Sequence, residues 1–212
     1  MPGVFATRAR GAGKSARTRA RLMDAAAEAI ARHGFEAVSA SEIAHAAEVS
    51  NGTFYNYFRD RDEITDVVAF AIAAELARRI DEALRDVTDP VERISFGTRQ
   101  FVELAAREPV WGRAMLRAMA SLPKLRREVS TFARSDLERG AREGVFKLEI
   151  DDLLVDLFTS MVATAVLLRL EGGGGPDPGA RTAEHQLRML GVPAARARRA
   201  ATRPLRSLSL VD

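Results

Sequence analysis

The chain has 212 residues, 47% of them apolar and 29% charged, which suits one or two globular domains and excludes a disordered polypeptide. It contains no cysteine, so disulfides, thiolate catalysis and cysteine-based zinc sites are excluded. The formal charge of +3 is unevenly placed: +3 over residues 1–61, −4 over 62–195 and +4 over 196–212.

Alanine supplies 37 residues and the aromatics only 13. That balance favours helix, because alanine loses no side-chain entropy in a helix and packs poorly on a pleated face. No apolar run approaches the ~20 residues of a membrane span, and the arginine-studded start lacks the apolar segment of a signal peptide. The expectation is a soluble, cytoplasmic, all-α protein that makes no contact with a membrane.

Residues 1–14 mix Gly, Pro, Arg and Ala without apolar periodicity and read as a disordered basic arm. From Ser15 the spacing becomes helical, with Leu22, Ala26, Ala29 and Ile30 on one face, and Gly34 stops the helix. Ser39-Ala40-Ser41-Glu42 is a capping box, with Val38 and Ile43 placed as a hydrophobic staple. A short helix runs to Ala47, and after only Glu48 and Val49, Ser50 caps another that reaches about Tyr57. Two short helices joined by so tight a turn cross steeply, as in a helix-turn-helix.

Asp60 caps a fourth helix with Ile64, Val68, Leu76, Ile80 and Leu84 on one stripe. Asp89-Pro90 starts a fifth, which carries Ile94, Phe101 and Leu104 and stops before Pro109. Residues 110–119 and 125–143 form the sixth and seventh. Asp151 caps a strongly apolar eighth, and Asp177-Pro178 starts the ninth, which ends at Gly191. Nine helices are expected and no strand, with 192–212 a flexible basic tail.

Four of the 13 aromatics lie between Phe54 and Phe58. Phe54 and Phe58, four residues apart, share a face that would bury against the first helix. The other face, carrying Ser50, Asn51, Thr53, Asn56 and Tyr57, is polar but uncharged. A solvated face ordinarily shows Glu, Lys or Arg, whereas small hydrogen-bonding side chains suit phosphates and base edges. The alternative is a short amphipathic core helix with incidental tyrosines.

The runs Leu22 to Ala26, Gly34-Phe35, Ser39 to Ala47 and Val49 to Phe58 resemble the DNA-binding domain of TetR-family transcriptional regulators. The resemblance covers about the first 75 residues in detail; beyond them only helix count and order match. It implies a nine-helix TetR-like architecture: a three-helix helix-turn-helix domain over 15–76 and a helical effector-binding and dimerisation domain over 77–191. It places Ser39 and Ser41 beside DNA, turns Asn51, Gly52, Thr53, Asn56 and Tyr57 to the major groove, and brings Tyr55 and Arg61 to phosphate. Ser50 opens the recognition helix, whose N-terminus favours phosphate.

Three positions depart from the family pattern. Glu48 stands where the turn usually has glycine, at a cost of about 1–2 kcal/mol if it is left-handed. Asn51 and Ser41 replace frequent cations. The arm cations Arg8, Arg10, Lys14, Arg17, Arg19 and Arg21 could compensate along phosphates or in the minor groove, or merely solubilise the chain.

The acidic body is rich in Phe and Met. Resemblance implies a pocket for an apolar or amphipathic small molecule between helices five to eight, where the alternative for these residues is an ordinary bundle core. Phe101, Trp111 and Met115 are the expected lining residues, and Arg99 and Gln100 read equally as polar anchors or as surface residues. The eighth helix is apolar on more than one face and, with Leu187, Met189 and Leu190 of the ninth, offers a homodimer surface. The expected function is a ligand-responsive repressor that binds a near-palindromic operator as a dimer. A helical DNA-organising or partner-binding protein without an effector is the alternative. An enzyme is the contrasting class. It is disfavoured by scattered histidines (His33, His45 and His185) and by the lack of a phosphate loop, a cofactor motif or a metal-spaced pair.

Overall fold

The computed structural model describes residues 4–34, 37–107, 109, 112, 113, 115, 116, 119 and 123–205. Among them are ten helices and no strand: α1 (Val4–Arg8), α2 (Lys14–His33), α3 (Ala40–Ala46), α4 (Asn51–Tyr55), α5 (Arg61–Ala83), α6 (Pro90–Arg107), α7 (Pro123–Arg142), α8 (Asp152–Leu170), α9 (Pro178–Met189) and α10 (Ala194–Thr202). Half of the sixth helix expected over 110–119 lies outside the described residues. The chain forms two compact units that part between Ile72 and Ala73, within α5 and four residues before the expected boundary.

The first unit is built on α2, whose Leu22, Ala26 and Ile30 are fully buried, with Ala29 half-buried on the same side. α1 and α3 pack against α2, and α3 packs against α4. The segment 1–14, expected to be disordered, contains α1. Its cause is tertiary: the Asp24 carboxylate accepts the Phe5 and Ala6 backbone N–H groups at 3.0 and 2.8 Å. Those first-turn donors have no partner within the helix, and an anion there also meets the positive end of the helix dipole. Five residues would not hold a helix in water without such an acceptor.

In the second unit α6 is central and packs against α7, α8, α9 and α10. The main core joins Val91 and Ile94 of α6 to Leu137, Phe146, Leu154, Phe158, Leu187 and Leu190. Buried polar groups are paired across it: the Thr98 hydroxyl donates to Gln186 Oε1 at 2.6 Å, and Gln186 Nε2 donates to the Phe158 carbonyl at 2.9 Å. At Gly140 the Phe146 ring leaves no room, since an added Cβ would fall 2.1 Å from it.

Residues 192–212 are not a loose tail as far as they are described. α10 seats Ala197 and Ala201, both nearly inaccessible, on the second unit. Ser95 Oγ donates to the Ala200 carbonyl at 2.9 Å, and Arg196 pairs with Asp89 at 3.0 Å. Arg203 also pairs with Glu92. The alanine spacing that makes this helix pack is invisible to a reading that counts arginines.

α8 corrects the reading that no stretch is long and apolar enough for a membrane span. It is 19 residues long, and an 18-residue stretch of it reaches a mean hydropathy of 1.9 despite Asp156 and Arg169, so it passes by length and composition. The charges interrupt the run but leave its average high. α8 packs against α6, α7 and α9, which buries Leu154, Val155, Phe158, Ala165 and Val166.

Gly140→Ala should destabilise the second unit by about 1–3 kcal/mol, because the buried Phe146 ring must move. Urea unfolding followed by helicity checks it, and an unchanged midpoint would show that the ring yields freely.

Candidate functional site

Local chemistry fixes the α3–α4 corner. Ser39 Oγ accepts the Glu42 backbone N–H at 3.2 Å while Glu42 Oε2 accepts the Ser39 backbone N–H at 2.8 Å, completing the expected capping box. These Ser39 hydrogen bonds, the backbone one foremost, hold the Glu42 carboxyl below its ordinary pKa. After α3 the Glu48 N–H donates to the His45 carbonyl and the Val49 N–H to the Ala44 carbonyl, both at 3.0 Å, a Schellman turn. That turn demands a left-handed residue, and Glu48 supplies it at φ +54°, the one non-glycine with positive φ among the described residues. The strain foreseen for this residue is present.

Ser50 then caps α4, accepting the Thr53 N–H at 3.1 Å, with the two hydroxyls 2.9 Å apart. Phe54 and Phe58 are buried with ring centroids 5.9 Å apart, and Tyr55 meets Phe54 edge-on at 5.3 Å. Arg19 lies over the Phe58 ring at 5.0 Å and donates to the Met23 sulfur, so this cation of the expected arm is engaged on the first unit itself. Lys14, Arg17, Arg19 and Arg21 all belong to α2.

The opposite surface is open. Ser39, Ser41, Ser50, Asn51, Gly52, Tyr55 and Asn56 are exposed, and Thr53 and Tyr57 are half-buried. Arg61 is half-buried, and its guanidinium pairs with Asp62 at 2.7 Å. Asp60 caps α5 by accepting the Glu63 N–H at 2.8 Å. That bond, followed by the one from Arg59, lowers the Asp60 pKa. Gly52 has no internal steric reason to be glycine: an added Cβ would meet only Ser50 Oγ, at 3.8 Å. Glycine inside a helix costs about 1 kcal/mol relative to alanine, so the fold gains nothing from it. The position suits a backbone that something else approaches closely.

The second unit holds a cavity of about 110 Å³ bounded by α5, α6, α7, α8 and Met119. Ile94, Phe101, Phe132, Phe158 and Val162 form apolar walls. One end is polar, where Asp81, Arg93 and Asp136 meet, and Thr98 and Thr159 also line the cavity. Arg93 is nearly buried and donates from Nε to Asp136 at 2.6 Å, from Nη2 to Asp81 at 2.8 Å and from Nη1 to the Leu84 carbonyl at 2.6 Å. Burial opposes its charge, but the two carboxylates prevail and hold its pKa above the ordinary arginine value. Burial pushes Asp136 up, with Arg93 opposing.

Of the residues expected to line a pocket, Phe101 does. Met115 is buried but is not part of this cavity's lining, and Trp111 lies outside the described residues. Arg99 and Gln100 are buried and face away from it. Sequence reading missed Asp81, Arg93 and Asp136. Their signal is a charge on an apolar face: Arg93 lies four residues before Gly97, and Asp136 four after Phe132, in register with cavity walls.

A helix-turn-helix with an open polar face, followed by a second helical unit that holds a cavity, defines a DNA-binding regulator. Residues 22–68 match the family model for bacterial regulatory proteins of the tetR family, and residues 89–203 match the tetracyclin repressor-like C-terminal domain. The crystal structure of RolR in complex with resorcinol is 31% identical, with a TM-score of 0.80, covering 92% of this chain and 98% of that one. The transcriptional regulator AcuR of Cereibacter sphaeroides is 33% identical over 47% of this chain and 46% of its own length. The transcriptional repressor KstR of Rhodococcus jostii is 31% identical over the same shares. This chain thus spans less than half the length of those last two relatives. The chain belongs to the TetR family of transcriptional regulators, which bind DNA through the helix-turn-helix and are not enzymes.

Removing the α3 cap by Ser39→Ala should cost about 1 kcal/mol at neutral pH. Since Glu42 has a lowered pKa when folded, its share of stability is present above the ordinary carboxylate value and is lost as pH falls through the folded one. Thermal melts of the two proteins between about pH 7 and pH 3 should therefore draw closer, by the share the Ser39 hydroxyl gives the Glu42 carboxylate, without meeting, because the hydroxyl accepts the Glu42 N–H at every pH. A gap independent of pH would separate the cap from Glu42.

Proposed function

We propose that the protein is a repressor that binds a near-palindromic operator as a homodimer and is released by a small, hydroxylated aromatic effector. The observation that carries the DNA reading is the α4 surface: uncharged hydrogen-bonding side chains around a glycine that the fold does not require. In this reading Asn51, Gly52, Thr53, Asn56 and Tyr57 meet base edges and backbone in the major groove. Ser39, Ser41, Ser50, Tyr55 and Arg61 reach phosphate. With Ser39 and Ser50 hydroxyls engaged in caps, their contacts fall to the helix N-termini.

The dimer reading rests on α8. Leu153 is 67% and Leu157 50% exposed, and with Ser160, Thr164, Leu167 and Leu168 they form one exposed stripe along the helix. A row of bare leucines flanking small hydroxyl residues fits a second copy of the same surface. Leu187 and Leu190 of α9 do not join it, because both are buried within the chain. A regulator of this kind acts on DNA in the cytoplasm.

The effector class follows from the cavity. An engineered apolar cavity of about 150 Å³ takes benzene, so about 110 Å³ suits one compact ring. The carboxylates at its polar end suit hydroxyl groups. The resorcinol named for RolR has that chemistry. A ligand there bears on Ala77, Ile80 and Leu84 of α5, whose earlier residues belong to the DNA-binding unit. A coupling of about 1–3 kcal/mol through α5 would lower operator affinity roughly 5–150-fold.

Selection of bound sites from random DNA tests the whole reading. It should return inverted half-sites about 34–36 Å apart or a multiple of it, and asymmetric sites would refute the dimeric operator. Gly52→Ala should raise the melting temperature, by about 1 kcal/mol of stability, yet weaken operator binding in a gel-shift titration. Unchanged affinity would remove Gly52 from the interface. Resorcinol should stabilise the protein and release the operator. Gly97→Ala adds a methyl to the cavity wall only 3.8 Å from Ile80 and should weaken that response about tenfold, the cost of overpacking by ~1–3 kcal/mol. An equal response from the two proteins would move the effector elsewhere.

A further inference from the structure

α6 separates two cavities. Ile94, Gly97, Thr98 and Phe101 line the one described above. Glu92, Ser95, Phe96 and Arg99 line another, of about 240 Å³, which is bounded on its far side by Ala200 of α10 and the segment Arg203 to Leu205 after it. Each set follows the same helical spacing, and the two-residue offset turns them about 200° apart around the helix. The second cavity is therefore distinct from the proposed effector site.

Its polar groups are all accounted for but one. Glu92 pairs with Arg203, and Ser95 donates to the Ala200 carbonyl. Arg99 is 8% exposed and uses Nη1 to donate to the Arg203 carbonyl at 2.6 Å. Its Nε, shut off from solvent, donates to nothing. Among the described residues no carboxylate forms an ion pair with it; only Asp177 acts on it from a distance, and burial pushes its pKa down. Arg93, two turns earlier on the same helix, shows what this fold does with a buried guanidinium that has partners: two carboxylates and a carbonyl hold it.

We infer that this cavity is a second ligand site, which takes a small monocarboxylate with an apolar body, its carboxylate paired to Arg99. The charge count supports a monoanion, since Arg99 and Arg203 against Glu92 leave one positive charge. With Nη1 on the Arg203 carbonyl and Nε out of reach of the cavity, the guanidinium faces no anion of its own, and a buried charge with a partner is far less costly than one without. Val87, Phe96 and Leu205 supply an apolar wall for the remainder of the ligand.

Calorimetric titration of the full chain with benzoate, using benzamide as the uncharged analogue, tests this. Benzoate should bind once per chain, with benzamide at least about tenfold weaker, as expected for losing a hydrogen bond to a charged group. Arg99→Gln should weaken benzoate by at least about the same factor, and Arg99→Met, which keeps the apolar bulk, should do likewise with helicity intact. Gly97→Ala, in the other cavity, should leave benzoate binding unchanged. The inference is overturned if wild-type protein takes up no benzoate, or if both Arg99 variants bind it as tightly as wild type. It is also overturned if Gly97→Ala is the substitution that abolishes binding.

Discussion

The second unit depends on the hydrogen bonding of one buried arginine. Arg93 reaches Asp81 and the Leu84 carbonyl at the end of α5 and Asp136 on α7, so three helices are set against one another by a single planar group. Such a pair adds little net stability, because desolvating the ions offsets most of their attraction. Its effect is on geometry. A guanidinium that offers fixed donor directions permits few arrangements of its acceptors, and the cavity beside it inherits its shape and its polar end.

The first unit is fixed by different means. Its corner is made by local backbone chemistry: the Ser39–Glu42 box, the turn through Glu48 and the Ser50 cap. Two features there run against stability. Glu48 holds a left-handed conformation that an acidic side chain does not favour, and Gly52 weakens a helix of only five residues. Local rules broken without internal compensation are expected at functional surfaces, and both residues lie on the exposed side of this corner.

The uneven charge of the chain also takes on a structural meaning. The basic excess of residues 196–212 pairs in part with acids of the body: Arg196 with Asp89, Arg198 with Glu184 and Arg203 with Glu92. Such half-exposed pairs contribute modestly each, but together they orient α10 and close the space in which Arg99 lies. At the other end, Arg19 stacks on Phe58. Arginines at both termini thus perform structural tasks that composition alone would assign to nucleic acid.

The sequence by itself determined the helix-turn-helix, because caps, staples and the Phe54–Phe58 spacing act between residues at most a few positions apart. It determined the all-helical class and the family resemblance for the same reason. Where partners are far apart in sequence, only the tertiary structure decided. Asp24 makes a helix of Val4–Arg8, the face of α6 and α9 makes one of Ala194–Thr202, and Asp136 claims Arg93 across 43 residues. Phe101 was legible as a cavity wall through the family resemblance, since its apolar periodicity alone fits a core residue equally well. The polar end was not, since a charge on an apolar stripe reads as an exception until its counter-charge is placed beside it. The net charge was fixed by the sequence, but which arginines hold the protein together was decided by packing.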